Sequence, residues 1–101
     1  MNYTILEAVL EALHKTEAAM NKADINEACC ESEAYETEAW VMEAEAIWEV
    51  NNTEEARVNL ERAYEAHDKA CREHYSAVET RKELHKLYEL LDQATWYAED
   101  K

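Results

Sequence analysis

Neither glycine nor proline occurs anywhere in the 101 residues of this chain. Tight hairpins draw on residues that tolerate positive φ, whereas helix interiors are where both glycine and proline are avoided. Alanine and glutamate, both strong helix formers, dominate the composition. The expectation is an almost wholly α-helical chain with very short connections, forming one helical domain over residues 1–101.

Capping patterns and apolar spacing divide the chain into three helices, at about 4–20, 24–50 and 54–98. Thr4-Ile5-Leu6-Glu7 has capping-box spacing, and Ile5, Leu6, Val9, Leu10, Leu13 and Met20 form the apolar face behind it. Asn21-Lys22-Ala23 reads as a tight link, and Asp24-Ile25-Asn26-Glu27 as a second capping box. Phase supports a break there. Continued at 100° per residue, the first apolar face would land on the stripe of Glu27, Glu31 and Glu38 and put carboxylates in the core.

The second helix has two apolar seams on nearly opposite sides. One runs Ile25, Ala28, Ser32, Tyr35, Ala39, Met42, Ala46, and the other Cys30, Ala34, Thr37, Val41, Ala44, Trp48. Two opposed seams call for a neighbour on each side, so this helix is expected at the centre of the assembly. Asn51-Asn52-Thr53 is the clearest turn, and Asn52-Thr53-Glu54-Glu55 caps the third helix. From Ala56 a 4-3 repeat holds through Leu60, Ala63, His67, Ala70, His74, Ala77, Arg81, Leu84, Tyr88, Leu91, Thr95 and Ala98. Glu65 with Lys69, and Asp68 with Arg72, are expected to pair at i,i+4 along it. A capping box at Ser76-Ala77-Val78-Glu79 marks where this long helix would kink if it kinks. The expected fold class is therefore all-α: a three-helix antiparallel coiled-coil-like bundle with a long C-terminal helix, or four helices if that kink forms.

Leu, Ile, Val and Met together number 19 and Phe is absent, so the core must lean on Ala, three Trp and six Tyr. Alanine seams let helices approach closely but bury little area each, at roughly 25 cal/mol per Å². Self-association is the expected remedy, as a homodimer, and the apolar run of Leu84, Leu87, Tyr88, Leu91 and Trp96 is the expected self-association surface. The N-terminus has neither a basic start nor a long apolar run, and no uncharged stretch approaches the roughly 20 residues of a membrane span. Cys29, Cys30 and Cys71 are odd in number and two are adjacent, a poor disulfide framework. These features point to a protein of the reducing cytoplasm, with no membrane partner.

Charge is segregated. Eleven carboxylates and no Lys or Arg lie between Lys22 and Arg57, and they carry most of the chain's net charge of −14. Asp24, Glu27, Glu31, Glu38, Glu45 and Glu49 fill a strip roughly 60° wide on the helical wheel. Such a strip is either a solvated face or a negative surface that steers toward and engages a basic partner. Like charges at i,i+4, such as Glu27–Glu31 and Glu45–Glu49, oppose each other by a few tenths of a kcal/mol per pair. Along the helix axis there is one charge per roughly 4.6 Å, against about 1.7 Å for duplex DNA and 3.4 Å for one of its strands. Imitation of nucleic acid is thus more plausible for two copies side by side than for one. Direct binding of nucleic acid is not expected.

His67, Cys71 and His74 share a face at i, i+4 and i+7, the spacing of a candidate metal or redox site that Cys29 or Cys30 would complete. No CxxC or HExxH pattern accompanies them. His67 and His74 also lie on the main seam, where a histidine bonded to a nearby Glu or Tyr is the plainer reading, and no metal or other cofactor is expected. Trp40, Trp48, Trp96 and the tyrosines are read as core residues before binding anchors. Paired carboxylates abound, but none stands beside a marked nucleophile, and the paired Glu-x-x-His motifs of ferritin-like sites are absent. No catalytic residue is assigned and the chain is not expected to be an enzyme.

In size and charge the chain resembles small acidic proteins of phages and mobile elements that block host nucleic-acid-handling machinery, restriction and CRISPR complexes among them. That resemblance implies an inhibitor or adaptor whose carboxylates, Asp24 to Glu49, occupy the basic, nucleic-acid-binding surface of a partner protein. Two other functions fit the residues: an oligomeric coiled-coil scaffold without a charge-driven target, and a sensor built on His67, Cys71 and His74.

Overall fold

The computed structural model describes residues 3–100. They form two helices, α1 (Tyr3–Val50) and α2 (Glu54–Asp100), joined at Asn51–Thr53. The expected bundle of three or four helices is corrected to two. Asn21, Lys22 and Ala23 are helical, and so are Asp24–Glu27, which were expected to cap a second helix.

The reason lies in the repeat that α1 buries. Its buried and half-buried positions recur at Leu6, Val9, Leu13, Thr16, Met20, Ala23, Glu27, Cys30, Ala34, Thr37, Val41, Ala44 and Trp48. That is a 4-3 alternation, a period of 3.5 residues, kept in phase through the supposed link. A straight helix drifts from such a repeat by ~20° per heptad. Projected at 100° per residue over roughly three heptads, the face swings by about 60°, from the Cys30–Ala34 seam onto the glutamates beside it. Followed at 3.5 residues, only Glu27 falls on the seam. With no Gly or Pro to interrupt it, the segment propagates as helix.

α2 keeps its predicted repeat. Every position from Ala56 to Ala98 in the 4-3 series is buried or half-buried, and helical structure continues through Ser76. Lys69 lies 4.0 Å from Glu73, so it turns toward the C-terminal neighbour and away from Glu65.

The chain divides into two compact units. In the first, the segment of α1 up to Asn26 packs with the segment of α2 from Val78 onward. Ala23, Thr16 and Thr95 are buried there, with Leu84, Tyr88 and Leu91 half-buried. Burying a hydroxyl is costly unless it is hydrogen-bonded. Both threonines meet the need on their own helix: Thr16 donates to the Ala12 carbonyl at 2.8 Å and Thr95 to the Leu91 carbonyl at 2.9 Å. Asp24 approaches Nε2 of His85 at 3.9 Å on the rim. The start of the chain therefore covers the seam of the C-terminal half of α2, at Leu84, Tyr88, Leu91 and Thr95, and leaves Leu87, Leu90, Trp96 and Tyr97 exposed.

The second unit, Glu27–Ala77, is a helical hairpin closed by the turn. Its buried residues are all alanines: Ala44, Ala56, Ala63, Ala70 and Ala77. Among the described residues no side chain larger than threonine is fully buried, in keeping with the alanine-rich composition. The turn needs no glycine because no described residue takes positive φ. Asn51 still donates its amide to the Ile47 carbonyl, and Thr53 donates to the Asn51 carbonyl. Thr53 is the cap of α2, one residue later than expected: its Oγ1 accepts the Ala56 amide at 3.1 Å. Arg57 then grips Glu54 and, at 2.5 Å, Glu61. The hydrogen bond from Arg57 holds the Glu54 carboxyl below its ordinary range. Among the described residues, no helix is long and apolar enough to cross a membrane.

Candidate functional site

Three side-chain contacts fix the register of the second unit. On the seam, Oγ1 of Thr37 lies 3.0 Å from Nδ1 of His67. On one flank Trp40 donates its indole N–H to Oδ1 of Asn59 at 3.2 Å. On the other flank Tyr64 donates its hydroxyl to Oε1 of Glu45 at 2.7 Å.

The Glu45–Tyr64 contact places the predicted carboxylates. Glu31, Glu38 and Glu45 recur every seven residues, one step outside the α1 seam, and so line one edge of the hairpin. Tyr64 and Cys71, also seven apart, occupy the matching edge of α2. An open groove results, lined by Glu31, Ala34, Tyr35 and Glu38 from α1 and by His67, Cys71 and His74 from α2. Carboxylates and His/Cys residues that formed two separate candidates in the sequence thus share one groove.

The other predicted strip residues scatter. Glu27 sits half-buried on the covered seam and is engaged there. Glu49 is exposed, in heptad line with Tyr35 and Met42 instead of with Glu38. Asp24 belongs to the first unit, beside His85. Among the described residues Glu31, Glu38 and Glu49 form no ion pair, whereas α2 satisfies Arg57, Lys69 and Lys82 locally with Glu54 and Glu61, Glu73, and Glu79.

Thr37, His67 and Cys71 form a short polar chain across the hairpin. The Thr37 hydroxyl reaches the carbonyls of Glu33 and Ala34, both at 3.0 Å, as well as Nδ1 of His67. Sγ of Cys71 lies 3.6 Å from Nε2 of the same ring and 3.9 Å from Nδ1. Among the described residues no group of three or more His, Cys, Asp or Glu is placed to hold a metal ion, and none of Cys29, Cys30 and Cys71 is in a disulfide. Burial pushes the Cys30 thiol up, helped by Glu73, Glu33 and Cys29. The Tyr64 hydroxyl is likewise raised, first by its hydrogen bond to Glu45.

The two opposed seams of α1 part company. The Cys30–Trp48 seam is covered by α2, while Ala28, Ser32, Tyr35, Ala39, Met42 and Ala46 are all exposed, and Ile25 in the first unit is too. A neighbour was expected on both sides, and one is present. In the first unit, Leu84, Tyr88 and Leu91 from the predicted self-association surface lie on the seam, whereas Leu87 and Trp96 are exposed, Trp96 with its ring edge against Tyr97.

Sequence reasoning missed Thr37, Asn59 and Tyr64 as partners. The signal was present for Tyr64 alone. Tyr64, Cys71 and His85 are spaced by multiples of seven, as Asp24, Glu31, Glu38 and Glu45 are on α1, which marks two edges that can meet. No protein-family model matches the chain, and no curated protein or solved structure matches it significantly.

Proposed function

We propose that this chain is a non-enzymatic binding protein whose α1 carboxylates engage a basic surface on a partner protein, one that otherwise holds nucleic acid. One observation carries the reading. Glu31 and Glu38 line the hairpin edge without ion pairs, in a stretch devoid of Lys and Arg, while Arg57, Lys69 and Lys82 of α2 pair with glutamates of their own helix. Clustered uncompensated charge costs stability, and it raises the encounter rate with an opposite surface. Inhibition of a CRISPR or restriction complex from a phage or mobile element is the setting that size and charge suggest, in the cytoplasm. The 4-3 seams support the finer fold, an antiparallel coiled coil within each unit; a homodimer would form through apolar residues left exposed, such as Leu87 and Trp96.

The test is a pull-down from host lysate with wild-type chain and with the Glu31→Gln, Glu38→Gln, Glu45→Gln variant, eluted by a salt step. A nucleic-acid-binding protein that leaves at moderate salt, and that the variant fails to hold, supports the reading. Retention by the variant at undiminished strength rules the electrostatic mechanism out.

A second reading has its own observation. Leu87, Leu90, Trp96 and Tyr97 stay exposed in the first unit, a surface suited to a scaffold that assembles without any charged target. Leu87→Asp would then abolish assembly while the glutamine variant behaves as wild type.

A further inference from the structure

The exposed seam of α1 bears on what kind of basic surface that partner presents. Within the second unit, Ala28, Ser32, Tyr35, Ala39, Met42 and Ala46 follow 3-4 spacing on the side away from α2. Tyr35 is 64% exposed and Met42 65%, the latter above most apolar side chains of the hairpin. Toward the turn the stripe runs into a depression formed by Ala46, Ile47 and Val50 beside Glu43. Small residues at Ser32, Ala39 and Ala46 alternate with the large Tyr35 and Met42, a relief of ridges and hollows that suits a packed helix.

Carboxylates stand on both sides of this stripe. Glu31, Glu38 and Glu45 form the rail toward the groove; Glu36 and Glu43, also seven apart, form the opposite rail. No Lys or Arg lies anywhere along it. An apolar ridge between two negative rails complements an amphipathic helix whose apolar ridge is flanked by Lys or Arg. A second copy is disfavoured at this face, because two such stripes laid together would oppose rail to rail.

We infer that residues 28–46 of α1 dock a basic amphipathic helix of a partner protein, with Tyr35 and Met42 as apolar anchors and the two glutamate rails gripping its flanks. The inference rests on the carboxylate reading above and adds an apolar, shape-dependent component to it.

The experiment uses the full chain and two synthetic peptides of identical Leu and Lys composition. One has Leu at 3-4 spacing with Lys on both flanks; the other is scrambled so that no face is apolar. Binding is followed by fluorescence anisotropy. The amphipathic peptide is expected to bind roughly tenfold tighter than the scrambled one. Tyr35→Gln with Met42→Gln removes that preference, while Tyr75→Gln, an exposed change on α2, leaves it intact. Circular dichroism confirms that each variant keeps its helices. Equal binding of both peptides, lost in the Glu31, Glu38, Glu45 glutamine variant, overturns the apolar dock and leaves the carboxylate reading standing. Binding of neither peptide overturns both. Self-association that the Tyr35 and Met42 changes dissolve overturns the dock in favour of a second copy.

Discussion

Nδ1 of His67 lies 3.0 Å from Oγ1 of Thr37 across the hairpin, and the Thr37 hydroxyl also reaches the Glu33 and Ala34 carbonyls of its own helix. A polar pair thus occupies a seam whose fully covered residues are alanines, with Sγ of Cys71 3.6 Å from Nε2 of the ring. Thr37→Val keeps the shape and removes the hydroxyl, leaving Nδ1 of His67 without its partner. The expected loss is about 1 kcal/mol of unfolding free energy at neutral pH, read from the urea midpoint. In the double variant with His67→Leu, most of that loss should return. A Thr37→Val protein as stable as wild type would mean that water serves His67 equally well.

Continuity of α1 through Asn21–Asp24 has a direct test. Lys22 is exposed and lies in the interior of the helix, so Lys22→Pro changes no core packing but deletes one helical hydrogen bond and clashes with the preceding turn. A loss of ~3 kcal/mol is expected in thermal or urea unfolding. Were residues 21–23 a link between two helices, the same proline would be nearly silent.

Cys30 sits half-buried on the α1 seam with Glu73 and Glu33 nearby, and its thiol is raised from the ordinary 9.0. The thiolate is the reactive form. In a Cys29→Ser, Cys71→Ser variant, alkylation of Cys30 by iodoacetamide should therefore reach half its limiting rate above pH 9.0. Glu73→Gln should move that midpoint down. Because the folded value is raised, the contribution of Cys30 to stability is full below its unfolded value and fades as pH climbs through the folded one. Stability should thus fall on the alkaline side, with no penalty at neutral pH from this group.

Much of the helical content was legible in the residues themselves. Lack of Gly and Pro dictated helix, Asn51–Thr53 announced the turn, and the α2 repeat from Ala56 to Ala98 could be read position by position. Those are local properties: propensity, capping and a 3.5-residue period each act within a few turns. The misreading at Asn21–Asp24 came from projecting a straight helix over a repeat that drifts against it. Choosing between 3.6 and 3.5 residues per turn requires knowing that α1 is packed along its length, which is a tertiary fact.

Tertiary structure alone decided which apolar seam of α1 is covered. Both seams have the right spacing, but only the one carrying Cys30, Ala34, Thr37 and Val41 meets α2, leaving Tyr35 and Met42 in solvent. It also decided that Glu31 and Glu38 share a groove with His67, Cys71 and His74, residues some thirty or more positions away along the chain. A periodic sequence specifies faces, and each face can be satisfied by any neighbour of matching period. The register between two helices is a non-local choice, made by contacts such as Thr37–His67 and Glu45–Tyr64 that exist only once the hairpin closes.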